Sequence, residues 1–265
     1  MSPGRRLGSL ADLRVAALEA VHGQLGPETI RISDILPDQL NLLQDAEAGY
    51  HVQDHRILLS ADVWRNLELI VEGSAAKVDP YASFVAVSAY HHEHIHAAGP
   101  HRVGRLFGHA SIHFGSSNEK DAARMLEEAV IELWNKRHFR EFVQLSGLGE
   151  RDPRLREVDF DARYAEEVEA LERLLQALSR ETQLDEDDLL ALMARHVPDT
   201  RPKALGTYLV EKCGAQGTKV VLERRAVDFA ENFKRVFYRF DLRTVSGEDV
   251  GQTASANLAQ LIRGW

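Results

Sequence analysis

Five histidines lie between residues 91 and 101, and within this cluster is the pattern His92-Glu93-x-x-His96. Residues four apart on a helix share a face, so the two imidazoles could converge on one Zn²⁺ ion at about 2.0–2.1 Å. Glu93 follows the first histidine directly, where a carboxylate can take a proton from a metal-bound water. The pattern therefore predicts a zinc site that activates water, with Glu93 as the general base.

A catalytic zinc needs a third protein ligand and an open position, and a second predicted helix offers glutamates for this purpose. Glu128 and Glu132 are four residues apart and would share a face of that helix. One could bind the metal while the other orients a ligand imidazole through its free N–H. Glutamate pairs at this spacing also occur on solvated helix surfaces, and Glu127 is a further candidate ligand.

Histidines that follow the motif are alternative third ligands: His101, His109 and His113. The longer pattern His-Glu-x-x-His-x-x-Gly-x-x-His matches as far as Gly99, but its next position is Arg102, and His101 falls one residue early. A shift of one residue turns the imidazole in another direction. The methionine turn that accompanies that pattern is not evident either, because Met125 lies in a helical segment. These histidines therefore come after the glutamates as candidates.

With these residues in place, the sequence resembles the gluzincins, HExxH peptidases whose third zinc ligand is a glutamate on a following helix. The segment Glu128-Ala129-Val130-Ile131-Glu132 has the form typical of that helix, Glu-Ala with an acidic residue four places on. The resemblance covers roughly residues 50–180 and implies a compact zinc metallopeptidase. It implies zinc ligation by His92, His96 and Glu128, with Glu132 supporting the ligands from behind. A small sheet beside the site would hold the peptide or protein substrate at its edge.

A donor to the transition state is expected from outside the two zinc-binding helices. Tyr164 stands at the start of a predicted helix after the Ser146–Pro153 loop, and compact gluzincins resemble this in having a helix that begins with tyrosine. We therefore predict that Tyr164 is catalytic, although a tyrosine that merely packs at a helix start would look the same. The weaker alternatives are His138, His196 and Tyr208.

The elements that must position these residues are mostly helices. Apolar spacing, helix starts and helix stops predict helices at 10–25, 61–73, 80–98, 117–142, 160–181, 185–196, 202–213 and 225–239. Extended segments are predicted at Tyr50–Val52 and Arg56–Leu59, with further short strands at Ser111–Phe114 and Lys219–Leu222. His91 and His94 would face away from the ligand pair, as partly exposed histidines or histidines satisfied in the core. The pattern at residues 30–44 is ambiguous.

The expected fold class is therefore α+β and mostly helical, with a small β element beside the HExxH helix and the glutamate helix, as in zincins. Three segments are predicted: an N-terminal helical segment at 1–45, a zincin-like catalytic core at 46–150 and a helical C-terminal subdomain at 151–265.

Composition limits the partners and the compartment. The 265 residues carry a net charge of −9, which gives no general attraction for nucleic acid or an anionic membrane. The single cysteine, Cys213, excludes an intramolecular disulfide and a Cys-rich zinc site, and it indicates a reducing, cytoplasmic compartment. We expect neither a signal peptide nor a membrane span, and the oligomeric state is left open.

Three functions remain after this step, and the last of them is a structural or interaction protein in which the HExxH pattern is incidental. The first is zinc-dependent hydrolysis of peptide bonds, by an endopeptidase or an aminopeptidase. The alternative is a non-proteolytic zinc-binding protein, regulatory or structural, that retains an HExxH helix. Glu93 favours the first, because metal binding alone does not need a base.

Overall fold

The structure is a computed structural model that describes residues 7–25, 32, 34–39, 43, 46–51, 55–98, 117–196, 200–213, 217–237 and 247–265. Within these ranges the chain is mostly helical with one small sheet, which confirms the predicted α+β fold class. The helices are α1 (Leu10–Leu25), α2 (Ala61–Val71), α3 (Pro80–Ala98), α4 (Ser117–Leu145), α5 (Leu148–Arg151), α6 (Ala165–Thr182), α7 (Glu186–Ala194), α8 (Arg201–Lys212), α9 (Lys219–Phe237) and α10 (Gly247–Arg263). Short 3₁₀ helices lie at Ala75–Lys77 and Pro153–Arg156.

The sheet has three short strands in the order β1-β3-β2: β1 (Asp34–Pro37), β2 (Ala48–His51) and β3 (Arg56–Leu59). β1 pairs with β3 in parallel, and β2 pairs with β3 in antiparallel fashion. In β3, Ile57 and Leu59 are fully buried while Leu58 between them is not, which is the alternation of a strand with one covered face. The two predicted extended segments correspond to β2 and β3, and β1 lies in the region whose pattern was ambiguous.

One compact unit consists of Met1–His101 and Asn135–Phe160. Its core forms where α1 and α2 pack on α3, with the sheet against α2 and α3. Leu13, Leu67 and Val87 are completely buried there, as is Phe142 on the last part of α4. This unit therefore surrounds the histidine-bearing helix with apolar side chains.

A second compact unit consists of Arg102–Trp134 and Asp161–Trp265. Its helices pack as pairs, α6 with α10 and α8 with α9. Leu171, Leu205 and Phe229 are completely buried in it. A methyl group added at Gly206 of α8 would lie 2.7 Å from the carbonyl oxygen of Ala226 on α9, so this pair of helices approaches closely because the residue is glycine.

The strand predicted at Lys219–Leu222 is wrong, because these residues form the first turn of α9. The amide of Leu222 donates to the carbonyl of Thr218 at 3.0 Å, a helical hydrogen bond. A run of β-branched residues favours a strand only where another strand can pair with it, whereas a helix satisfies its own backbone. Val220 and Val221 are accordingly exposed on the helix surface.

Other differences are smaller. The predicted loop at 146–153 contains the short helix α5, and α10 was not predicted. The strand expected at Ser111–Phe114 lies outside the described residues, and the three predicted segments stay predictions. None of the helices in the described part of the chain is both long and apolar enough to cross a membrane.

Candidate metal centre

Helix α3 carries the histidine motif, and the local sequence defines where this helix begins and ends. The side chain of Asp79 accepts hydrogen bonds from the amides of Tyr81 and Ala82 at 2.9 and 3.2 Å, which satisfies free amides at the helix start. Pro80 occupies the first helical position, where its missing N–H costs nothing. Fourteen of the 19 residues of α3 are buried, so the polar side chains of the motif lie in the protein interior.

His92, His96 and Glu128 come together as a buried group that could hold a metal ion. One donor atom from each residue lies within 4.8 Å of the other two, and the residues are only 7, 7 and 8% exposed. The two Nε2 atoms are 3.0 Å apart. Two ligands at Zn–N distances near 2.05 Å in a tetrahedral site would be about 3.3 Å apart, so the imidazoles need only a small adjustment to share an ion.

The chemistry of this group suits a cation. A buried carboxylate is costly unless a positive charge or hydrogen-bond donors face it. A divalent ion held jointly by the two imidazoles and Glu128 would supply that charge, and two nitrogens with one oxygen form a donor set used by catalytic zinc sites.

The predicted base, Glu93, and the predicted supporting glutamate, Glu132, are both buried, and each lies close in sequence to a residue of the metal group. Glu93 is 7% exposed and follows His92 directly on α3. Glu132 is 1% exposed, and its Oε1 accepts a hydrogen bond from the backbone N–H of Arg163 at 3.1 Å. The roles predicted for the two carboxylates, proton transfer and orientation of an imidazole, stay predictions.

Tyr164 lies immediately after Arg163, at the residue that precedes α6. It is half-buried. The bond between Arg163 and Glu132 therefore fixes the backbone next to Tyr164 against the glutamate helix α4. Its catalytic role remains a prediction.

Glu127 has a different environment from Glu128. Its Oε2 lies 2.5 Å from Nη2 of Arg201, and the side chain of this arginine is only 1% exposed. Arg201 also donates through Nε to the carbonyl of Met193 at 2.6 Å. Successive residues on a helix point about 100° apart, so one glutamate joins the metal group while the other neutralises a buried arginine.

The structure describes only some of the residues that were alternatives for the third ligand or for the donor. His101, His109 and His113 lie outside the described residues. Nδ1 of His138 lies 3.4 Å from Oε2 of Glu141. The ammonium nitrogen of Lys212 lies over the ring of Tyr208, 5.6 Å from the ring centre. The roles considered for His138, His196 and Tyr208 as donors are not tested by these positions.

His94 lies in the core, as one of the two interpretations predicted, but its ring is only half satisfied, because its buried Nε2 has no hydrogen-bond partner among the described residues. It is fully buried, and its Nδ1 lies 2.7 Å from the carbonyl oxygen of Tyr90 one turn earlier. Burial lowers the pKa of His94 to about 4, while the hydrogen bond to Tyr90 opposes this shift. The ring is therefore neutral at pH 7 and belongs to the core.

His91 is also a core histidine, but it carries a connection that sequence reasoning missed. Its Nδ1 lies 2.7 Å from Oδ1 of Asn135 on α4, and its ring stacks on Phe142 at 4.0 Å between centres. Burial holds the pKa of His91 well below its usual range, although the hydrogen bond with Asn135 acts in the opposite direction. The available signal was Asn135 itself, a polar residue seven positions after Glu128 and thus on the same helix face.

Comparisons of the chain with models of protein families, with curated proteins and with solved structures find no match. The resemblance to gluzincins thus stays a prediction, and the case for function depends on the residues and geometry described above.

Proposed function

We propose that the protein is a zinc-dependent peptidase whose metal is held by His92, His96 and Glu128. The observation that carries the proposal is the convergence of these three side chains, with donor atoms within 4.8 Å in a buried setting. Two residues come from an HExxH helix and the third from the helix that follows it. Three protein ligands leave a fourth position for water or substrate, as catalytic zinc sites require.

When bound, zinc would lower the pKa of a coordinated water to about 7 and polarise the carbonyl of the scissile peptide bond. Glu93 is proposed as the general base. Its carboxylate would accept a proton from the attacking water and deliver it to the leaving amine nitrogen as the C–N bond breaks. Its burial supports this role, because an interior carboxylate has little competing solvent around it.

Glu132 and Tyr164 are proposed as supporting residues. Glu132 would hold a ligand imidazole in orientation by accepting its free N–H, and its almost complete burial keeps the carboxylate from turning to solvent. The hydroxyl of Tyr164 would donate to the oxyanion that develops on the substrate. The hydrogen bond between Arg163 and Glu132 supports this role, because it holds the residue before Tyr164 against α4.

Glu93→Gln tests the proposal, because it keeps the size of the side chain and removes the proton acceptor. Zinc content should stay at the wild-type level, while cleavage of a peptide library should fall by about 10²–10⁴-fold, as expected for a lost general base. Glu72→Gln is the matched control, since Glu72 is an exposed glutamate at the end of α2. This variant should cleave like wild type.

Two results would contradict the proposal in different ways. Equal cleavage by wild type and Glu93→Gln at equal zinc loading would exclude Glu93 as the base and indicate a contaminating protease. Absence of cleavage by both, with zinc bound, would favour the alternative of a non-proteolytic zinc-binding protein.

A further inference from the structure

Asn135 is a buried amide that joins the two helices bearing the metal group. It is 0% exposed, on α4. Its Nδ2 donates to the hydroxyl oxygen of Ser88 at 3.0 Å and to the carbonyl oxygen of Ser88 at 3.2 Å. Its Oδ1 lies 2.7 Å from Nδ1 of His91. Because the amide nitrogen faces Ser88, the oxygen must accept from His91, and Nδ1 of that ring carries the proton.

The positions of these bonds relate directly to the metal ligands. On α4, Glu128, Glu132 and Asn135 are spaced by four and three residues, so they follow one face of the helix. On α3, Ser88 lies one turn before His92, and His91 is the residue immediately before it. The hydrogen bonds thus fix α3 to α4 within one turn of the first ligand.

Apolar packing alone would hold the helices together less specifically. A buried amide costs free energy unless its donors and acceptor are satisfied, and here three bonds satisfy it. Such bonds are directional, so a small rotation or slide of α3 along α4 would break them, whereas neighbouring leucines or phenylalanines could adjust. A single buried asparagine is known to set the register of packed helices in this way.

We propose that Asn135 is a positioning residue for the metal centre, acting through Ser88 and His91. It fixes the rotation and height of α3 against α4, so that the imidazoles of His92 and His96 face Glu128. This inference depends on the proposed function in one respect, that a metal binds at those three residues. Asn135 itself does not contact the metal, and its effect is transmitted by the backbone of α3.

Three variants remove the connection to different degrees. Asn135→Ala removes all of the bonds, and Ser88→Ala removes one but keeps the backbone acceptor. His91→Phe removes the ring N–H and retains an aromatic ring that can stack on Phe142, so it preserves the packing of the unit. Val143→Ala is the control, because Val143 is equally buried on α4 and is apolar.

The measurements are the Kd for Zn²⁺, by competition with a chromophoric chelator, and the visible absorption spectrum with Co²⁺ in place of zinc. Asn135→Ala and His91→Phe should weaken zinc binding by at least about tenfold, the lower end for lost supporting hydrogen bonds around a metal site. Both should also shift the Co²⁺ bands, because the ligand geometry changes. Ser88→Ala should have a smaller effect, and Val143→Ala should lower thermal stability with unchanged Kd and spectrum.

Wild-type Kd and spectrum in both Asn135→Ala and His91→Phe would overturn the inference and leave the proposed metal centre intact. The same would follow if Val143→Ala weakened zinc binding as much as they do, since the effect would then be general destabilisation. If the wild-type protein itself fails to bind zinc, the proposed function fails, and the role of Asn135 fails with it.

Discussion

At the scale of single residues, the candidate site depends on which side of a helix each acidic group occupies. Glu127 and Glu128 are neighbours in sequence, yet Glu128 joins His92 and His96 while Glu127 pairs with the buried Arg201. The two glutamates therefore have the same chemistry and different surroundings. Exchanging each for glutamine separates metal binding from stability.

Glu128→Gln should weaken zinc binding by more than the 10–100-fold typical of a lost supporting hydrogen bond, because it replaces a charged ligand. Its fold should persist. Glu127→Gln should retain zinc but lower the free energy of unfolding by about 3 kcal/mol, since Arg201 loses its charged partner in a buried setting. Zinc titration and urea denaturation of both variants provide the check. Loss of zinc from Glu127→Gln with normal binding by Glu128→Gln would reverse the assignment.

The two histidines of the metal group could be predicted at this scale because their spacing is local, four residues on one helix. Spacing alone left the third ligand open among the glutamates of the next long helix and the later histidines, and the resemblance to gluzincins is what favoured Glu128. The partners of Arg201 and Asn135 could not be predicted, since Glu127 and His91 are 74 and 44 residues away from them in sequence. A single sequence contains no periodic signal for such pairs.

At the scale of elements, local signals again determined which predictions succeeded. Helix α3 has a capping aspartate, a proline at its first position and a Gly-Pro stop, so its limits follow from sequence. The strand predicted at Lys219–Leu222 failed because β-branched residues form a strand only with a pairing partner. The close approach of α8 and α9 could not be predicted either. From the sequence alone, Gly206 in a helical segment indicates only a residue of low helix propensity, and its packing against α9 becomes evident only in the structure.

The packing at Gly206 leads to a testable prediction. Gly206→Ala should lower the free energy of unfolding by about 1–3 kcal/mol, because the new methyl group would meet the Ala226 carbonyl at 2.7 Å. Gly23→Ala in α1 is the matched control, since a methyl group there has nothing within 4 Å. That variant should be more stable than wild type by up to about 1 kcal/mol, from helix propensity alone. Chemical denaturation measures both, and equal effects would exclude close packing as the cause.

At the scale of the whole molecule, stability should depend on pH through a buried carboxylate. The side chain of Asp152 is 1% exposed and accepts hydrogen bonds from Nε and Nη2 of Arg154 at 2.7 and 2.8 Å. Arg154 also donates to the carbonyls of Ala75 and Val78, just before α3. Burial would raise the pKa of Asp152, but hydrogen bonds from Arg154 and Ser83 and the arginine charge together hold it below its ordinary value.

A carboxylate whose pKa is lower in the folded state stabilises the protein above its unfolded pKa, about 3.9 for aspartate. This contribution should be complete above about pH 5 and should disappear as the pH falls below 3.9 toward the folded value. Asp152→Asn should therefore be less stable than wild type at pH 7, and the difference should shrink on acidification. Urea denaturation across this pH range tests the prediction, and a difference that stays constant with pH would contradict it.

The central claim, that His92, His96 and Glu128 form a metal centre, is tested most directly by elemental analysis of the purified protein. Wild type should contain about one Zn²⁺ per chain, as a single catalytic site requires. The double variant His92→Ala plus His96→Ala should contain almost none while remaining folded by circular dichroism. Metal content that is unchanged in the double variant, or absent from wild type after supply of zinc, would contradict the claim.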